Sequence, residues 1–466
     1  MATRIARHRS SGLLGLLLAG AFALPTLAQP LNVYFGNLHA HTSYSDGSGT
    51  PAMAFDHARL RGLDFMAITE HNHAQAERNA GNRRDGLLIA TDHALYRGTP
   101  ANCERSLVDA ALEASASGGF VALYGQEFST ISSGNHANVY EVQDVIPSAG
   151  GRYDHLVQWL ATNLDSTGKP AIIQFNHPNS QYRRTTEYGR DDFGSDPNWI
   201  REIGRHAALI EIISGPALSS GSDMPVPRDK EFDYAHYLNL GFRVAPTANQ
   251  DNHYFNWGDL TTARTGVIAH ELTRTAIIEA IRSRHVYATT DHNLRVIARV
   301  NGRLCGSAIP VPPIGSELDI TIEIHDDDEP EAEYLVAVYS DNSPGGPLAS
   351  EIEFLELGVG NGTHIIEGIA ATGPDQYVFF RIEQRVLESE GEDAIGDRVW
   401  TAPVWMDPRI TDDHAPAPTT PIVASKNSKI YHVDPSCSGA RAIKPANKLF
   451  GDDARQGRTP HDGCPR

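Results

Sequence analysis

The chain has 466 residues, enough for two large domains and a small one, and carries 58 acidic against 39 basic side chains, a formal net charge of -19. That balance argues against nucleic acid as a partner, because phosphate backbones select basic surfaces. Four cysteines over this length (Cys103, Cys305, Cys437 and Cys464) do not make a disulfide scaffold and leave room for one or two bridges.

At the N-terminus, Arg4, Arg7 and Arg9 precede an apolar stretch from Leu13 to Leu24, and Thr26-Leu27-Ala28 comes next. Basic, apolar and small residues in this order are those of a secretory signal peptide, with cleavage expected after Ala28 and a periplasmic or secreted bacterial product. An uncleaved anchor is the alternative, although the apolar segment falls short of the ~20 residues of a membrane span. Losing residues 1–28 removes three arginines and no acids, which takes the net charge from -19 to -22.

The run Val33–Leu38 ends on His39-Ala40-His41, with Ser45-Asp46-Gly47 close behind. In a strand, alternate residues share a face, so histidines at i and i+2 aim both imidazoles at one point. Neutral imidazoles with a nearby carboxylate make a transition-metal site. Further apolar runs lie at Leu63–Thr69, Phe120–Tyr124, Ala171–Phe175, Leu209–Ile213, Phe242–Pro246 and Val286–Thr289. Helical patterns alternate with them, as in 273–285, where Ile277, Ile278 and Ile281 recur at helical spacing. Strand and helix in alternation predict a parallel α/β arrangement.

The residues at the ends of these runs form the decisive pattern. Glu70-His71, Glu127, Asn176-His177 and Asp251-Asn252-His253 stand at or just past the ends of successive runs. A parallel βα barrel assembles its active site from those strand ends. Arg183, Arg184 and Arg264 are candidates for holding substrate oxygens; His73, His93 and His292 read as loop histidines.

From about residue 294 the pattern becomes all-β. Leu294–Val300, Leu318–Ile324, Tyr334–Ser340, Ile352–Leu357 and Tyr377–Ile382 read as the strands of an immunoglobulin-like β-sandwich. Asp326-Asp327-Asp328-Glu329 lacks the spacing of a calcium loop and reads as a solvated turn. The sandwich is expected to end near Trp405; Asp412 to Pro421, rich in Pro, Ala and Thr, reads as a linker, and a tail, residues 425–466, follows. There His432-x4-Cys437 and His461-x2-Cys464 have the spacing of a small zinc module; a Cys437–Cys464 disulfide is the equal alternative.

Over about residues 33–293 these motifs resemble, in order, those of the PHP (polymerase and histidinol phosphatase) superfamily. His39-Ala40-His41 with Ser45-Asp46-Gly47 looks like the first motif and Thr69-Glu70-His71-Asn72 like the second. Glu127, Asn176-His177-Pro178 and Asp251-Asn252-His253 match later ones. Gly134-Asn135-His136 and the ending Arg264-Thr265-Gly266-Val267 through Asp291 are similar to the branch containing carbaryl hydrolase, the CehA/McbA branch.

The resemblance implies a distorted (β/α)7 barrel at 29–293 with up to three divalent ions, zinc, manganese or iron, and a further zinc if the tail binds one through His432, Cys437, His461 and Cys464. A β-sandwich at 294–408, a linker at 409–424 and the Cys/His module at 425–466 would complete the chain. It also implies the ligands: His39, His41, Glu127 and Asp251 for one ion; Glu127, His136 and His177 for a second; Asp46, His71 and His253 for a third. Glu70 departs from the commoner Asp and is expected to orient its neighbour. Clustered ions lower the pKa of a water between them, so a metal-bound hydroxide can attack an ester without a side-chain nucleophile. Glu127, Asp251 and Arg264 are the expected catalytic set. The reading is an exported metal-dependent phosphoesterase acting on a small molecule. A carbamate or carboxylic-ester hydrolase and a non-catalytic metal-binding surface protein are the alternatives.

Overall fold

The computed structural model describes residues 30–71, 105–116, 118–128, 136–142, 144–147, 153–178, 197–341, 350–385 and 396–410, and the short segments 423–425, 430–432, 448–450 and 459–460. Residues 1–28, His73, His93, Arg183, Arg184, residues 411–422 of the linker, Cys103, Cys437, His461 and Cys464 lie outside the described residues.

The first half runs β1 (Asn32–Asn37), α1 (Pro51–Leu60), β2 (Phe65–His71), α2 (Leu107–Ala116), β3 (Val121–Phe128), β4 (His136–Tyr140), α3 (Tyr153–Leu160), β5 (Ile172–Asn176), α4 (Pro197–Ile203), β6 (Ala207–Ser214), α5 (Glu231–Asn239), β7 (Ala245–Asn249), β8 (Arg264–Ala269), α6 (Arg274–Arg282) and β9 (Val286–Thr289). Strands β1, β2 and β3 are parallel, as are β5, β6 and β7. Between the two sets β4 runs antiparallel to both neighbours, an element that the apolar runs do not predict. The sheet curls into a half-barrel whose rim is closed by the chain after β7. Ala40 bridges Asn252 in parallel, His41 N–H donates to the Asn252 carbonyl at 2.8 Å, and Asp251 N–H donates to the His39 carbonyl at 3.0 Å.

Burial on both faces explains the continuous apolar runs of the parallel strands. Phe65 and Ala67 of β2 join one apolar cluster, and the alternate Met66 and Ile68 join another. That second cluster takes in Ala54, Phe55 and Ala58 of α1 and Leu107, Ala110 and Ala111 of α2. Thr50 caps α1 by accepting from Met53 N–H at 3.3 Å, with Pro51 opening the first turn. Helix α6 is similarly capped by Thr273 and buries Ile277, Ile278 and Ile281, the residues whose spacing predicts it.

The strands expected beyond residue 294 are present, but their connection differs from a free-standing sandwich. β10 (Arg295–Val300), β11 (Arg303–Leu304), β13 (Ile320–His325) and β16 (Gly362–Ile366) form a separate antiparallel sheet. β12 (Ala308–Ile309), β14 (Tyr334–Asp341), β15 (Ser350–Val359), β17 (Tyr377–Gln384), β18 (Arg398–Thr401) and β19 (Val404–Met406) instead prolong the half-barrel sheet, because β18 pairs with β9. Val296, Ala298, Ile320 and Ile322 share one core with Val336, Val338, Phe380 and Ile382, and with Phe35 and Phe65 of the half-barrel. Asp326 is no solvated residue: it is buried, accepting from Tyr334 OH at 2.6 Å and from two backbone N–H groups of its own turn. In the tail, β20 (Val423–Ser425), β21 (Ile430–His432), β22 (Lys448–Phe450) and β23 (Thr459–Pro460) form their own small sheet. Among the described residues no helix is long and apolar enough to cross a membrane.

Gly36 sits opposite Phe65 where β1 meets β2, and a Cβ there would lie 2.2 Å from the Phe65 carbonyl oxygen. Backbone cannot yield as a side chain does, so Gly36→Ala is expected to cost about 3 kcal/mol or more. Urea unfolding reads the loss; a change below about 0.5 kcal/mol would show that the strand pair gives way freely.

Candidate metal centre

Five strands deliver their ends to one rim. His39 and His41 come directly after β1, held extended by the bonds to residues 251 and 252, so the alternation inferred from the sequence persists past the strand. His71 is the last residue of β2, Glu127 lies near the end of β3, and His177 comes directly after β5. Asp251 and His253 lie just past β7. His136 enters at the same rim because β4 is reversed and presents its first residue, across from Asn176. Asp46 arrives on the 42–49 loop, which Glu70 fastens: its carboxylate accepts from Thr42 N–H at 3.1 Å and from the Thr42 and Ser45 hydroxyls. Glu70 thus orients the Asp46 loop.

The structure brings together all nine residues expected as ligands. Glu127 is the hub. Its Oε1 lies 3.3 Å from His39 Nε2, 2.9 Å from His136 Nδ1 and 3.4 Å from His177 Nε2. Its Oε2 lies 3.2 Å from His41 Nε2 and 2.8 Å from His71 Nδ1. Asp251 Oδ1 is 3.3 Å from His39 Nε2 and 3.2 Å from His41 Nε2. Asp46 Oδ1 is 3.2 Å from His253 Nε2 and 3.5 Å from His71 Nε2.

Three groups have donor atoms all within 4.8 Å of one another: His41, Asp46, His71 and His253; His39, His41 and Asp251; His71, Glu127 and His136. The partition implied by the resemblance is therefore kept in outline. It differs in that Glu127 falls only in the group with His71 and His136 and not in that of His39, His41 and Asp251, that His41 and His71 each serve two groups, and that His177 stands beside Glu127 rather than inside a group.

Do these side chains suit metal ions? The carboxylate oxygens Glu127 Oε2 and Asp46 Oδ1 are buried and have imidazole nitrogens at 2.8 and 3.2 Å but no well-aligned hydrogen bond among the described residues, and the buried ring nitrogen His41 Nδ1 has none either. Buried polar atoms are normally satisfied, and lone pairs left over beside several imidazoles suit a shared cation. The electrostatics agree. Burial alone would raise the Asp46, Glu127 and Asp251 carboxyls, but the surrounding histidines hold all three below the usual carboxylate range. Burial would likewise lower His39 and His253, yet the carboxylates raise both, His253 to about 9. His136 goes the other way, lowered by burial, and a divalent cation would supply the compensating positive charge directly. Two ligand positions also have left-handed backbone, His177 at φ 31° and Asp251 at φ 50°, a cost that residues other than glycine bear where the surroundings enforce it.

One further buried carboxylate at the centre is not singled out by the motifs. Glu211 of β6 is fully buried, with Oε1 2.8 Å from His39 Nδ1. Its only signal in the sequence is a lone acid inside the apolar run Leu209–Ile213.

No family model matches this chain, and no curated protein matches it. Among solved structures it is similar to a two-domain protein containing a predicted PHP-like metal-dependent phosphoesterase from Bacteroides vulgatus ATCC 8482. Identity is 15%, TM-score 0.41, and coverage 76% of this chain and 90% of that one. It is also similar to an amidohydrolase from Chromobacterium violaceum with bound sulfate and no metal, at 16% identity and TM-score 0.27, covering 54% and 96%. Likenesses this distant carry no argument about the chemistry.

Arg264, the remaining expected site residue, is bonded to the backbone of its own loop. It is buried, and its guanidinium donates to the carbonyls of Gly258 at 2.6 Å, Thr261 at 2.7 Å and Ala263 at 2.8 Å. Those bonds fasten the 258–263 loop. Arg264→Ala should therefore destabilise the fold by about 3 kcal/mol or more, since it strands buried carbonyls. Metal content per folded molecule should be unchanged. Undiminished stability with turnover lost a hundredfold would return Arg264 to the substrate.

Proposed function

We propose that the protein is a metal-dependent hydrolase of the PHP type, exported from a bacterial cell, that cleaves a small phosphoester. The observation that carries this reading is the convergence of nine His, Asp and Glu side chains on one rim, with buried carboxylate oxygens at its centre that lack a well-aligned hydrogen bond among the described residues. Divalent ions held there would supply an ionised water near neutral pH and neutralise charge building on substrate oxygens. Glu127, reached by imidazoles on both of its oxygens, is the ligand able to serve neighbouring ions at once. Asp251 and Asp46 complete the negative charge on either side of it. The side chains of His177 and Asp251 are 24% and 12% exposed, more than those of the other seven, so substrate approaches from their side. Export rests on the basic, apolar and small-residue order of residues 1–28.

The second reading is a carbamate or carboxylic-ester hydrolase. Arg264 donates to three backbone carbonyls, and a guanidinium held that way favours a phosphoryl dianion over a neutral carbonyl less than a free one would. Side-by-side assays of the metal-loaded protein on phosphomonoesters, phosphodiesters, carbamates and aryl esters separate the two readings.

The wild-type chain should retain two or three divalent ions, and Glu127→Gln should lower that content and nearly abolish turnover while the circular dichroism spectrum survives. Elemental analysis with parallel rate measurements provides the check. A Gln variant with wild-type metal content and rate would sink the central role given to Glu127.

A further inference from the structure

Glu211 lies beyond the nine residues of the cluster yet touches two of them. It is the one acid in the strand sequence AALIEIIS of β6, and its side chain is wholly buried. Its two oxygens do different things. Oε1 accepts from His39 Nδ1 at 2.8 Å and from Asn249 Nδ2 at 3.0 Å. Oε2 accepts from the backbone N–H of His177 at 2.6 Å.

The first bond decides which ring nitrogen of His39 carries the proton. A carboxylate at Nδ1 demands a donor there, which leaves the Nε2 lone pair for the cluster. Nε2 is the atom that stands 3.2 Å from His41 Nε2 and 3.3 Å from both Glu127 Oε1 and Asp251 Oδ1. The second bond grips His177 where its backbone is left-handed, at φ 31°. His39 and His177 both approach the same oxygen of Glu127, at 3.3 Å and 3.4 Å. One buried carboxylate therefore sets two of the three imidazoles around Glu127 Oε1.

We infer that Glu211 is a positioning residue of the metal centre, fixing the His39 tautomer through one oxygen and the His177 backbone through the other. The inference rests on the reading of the cluster as a metal centre. A glutamine cannot replace it: its single carbonyl oxygen can accept from one of the two groups, and its amide nitrogen then faces the other N–H.

The test uses the full chain. Zinc affinity is measured by competition with a chromophoric chelator, and the cobalt(II)-loaded protein is examined by absorption spectroscopy. Glu211→Gln should bind zinc roughly 10- to 100-fold more weakly and shift the cobalt bands. Tyr234→Phe serves as the buried control, since the Tyr234 hydroxyl donates to the Thr401 carbonyl at 3.0 Å and touches neither the nine nor the groups that bond Glu211. It should move neither readout. Glu211→Asp, which keeps the charge on a shorter arm, should fall between wild type and Gln. A Gln variant within threefold of wild type and with a superimposable cobalt spectrum would overturn the inference. So would a Gln variant that fails to fold beside an Asp variant that binds zinc like wild type. A wild-type chain that binds neither zinc nor cobalt would instead overturn the metal-centre reading itself.

Discussion

A carboxylate with no exposure to water, Glu127, dictates what the rest of the structure must provide. An ionised acid in the interior costs several kcal/mol unless opposite charge and hydrogen bonds surround it. Here five imidazoles from four separate strand ends and loops converge on its two oxygens. Asn176 adds a hydrogen bond to Oε1 at 2.9 Å. Convergence of that kind requires parallel strands sharing one rim, a closing contact between the chain after β1 and the chain after β7, and a reversed β4 that delivers His136. The fold can be read as the scaffold that makes this one buried charge tolerable.

Much of the centre is legible in the sequence because its candidate ligands sit where simple periodicity operates. His39 and His41 obey the two-residue alternation of an extended chain, and His71, His177, Asp251 and His253 are adjacent to apolar runs long enough to read as strands. Glu211 is not legible, since nothing local distinguishes an acid that serves a histidine 172 residues away from one misplaced in a strand. The antiparallel β4 is equally hidden, because His136-Ala137-Asn138-Val139-Tyr140 is short and half polar. Its polarity is explained only by where it lies: Asn138 faces Asn176, bonding it at 2.8 Å, and donates to the Leu38 carbonyl at 3.2 Å.

The region past residue 294 shows the complementary failure. Its strands are readable one by one from alternation, whereas the partner of each strand is not. Pairing of Val399, Trp400 and Thr401 with Thr289, Ala288 and Tyr287 converts an expected separate sheet into the continuation of the first. Backbone pairing is indifferent to side-chain identity, so this connection leaves little trace in the sequence. Its consequence is that the half-barrel does not end at an open edge beside β9.

The layer beneath the centre leaves the charge of its carboxylates uncancelled. Gln174, Asn176, Asn138, Asn249, Asn37 and Asn252 are buried there, bonded to one another, to backbone or to Glu127 and Glu211. A lysine or arginine in that layer would satisfy the carboxylates equally well, but it would cancel their charge and with it the attraction for a divalent ion. Amides orient the same oxygens through neutral donors and leave the charge in place. An apolar layer would leave the inner oxygen of Glu127 without a donor on its protein side. Of the three choices, only amides hold the carboxylates rigidly and keep them available, and the chain uses amides throughout.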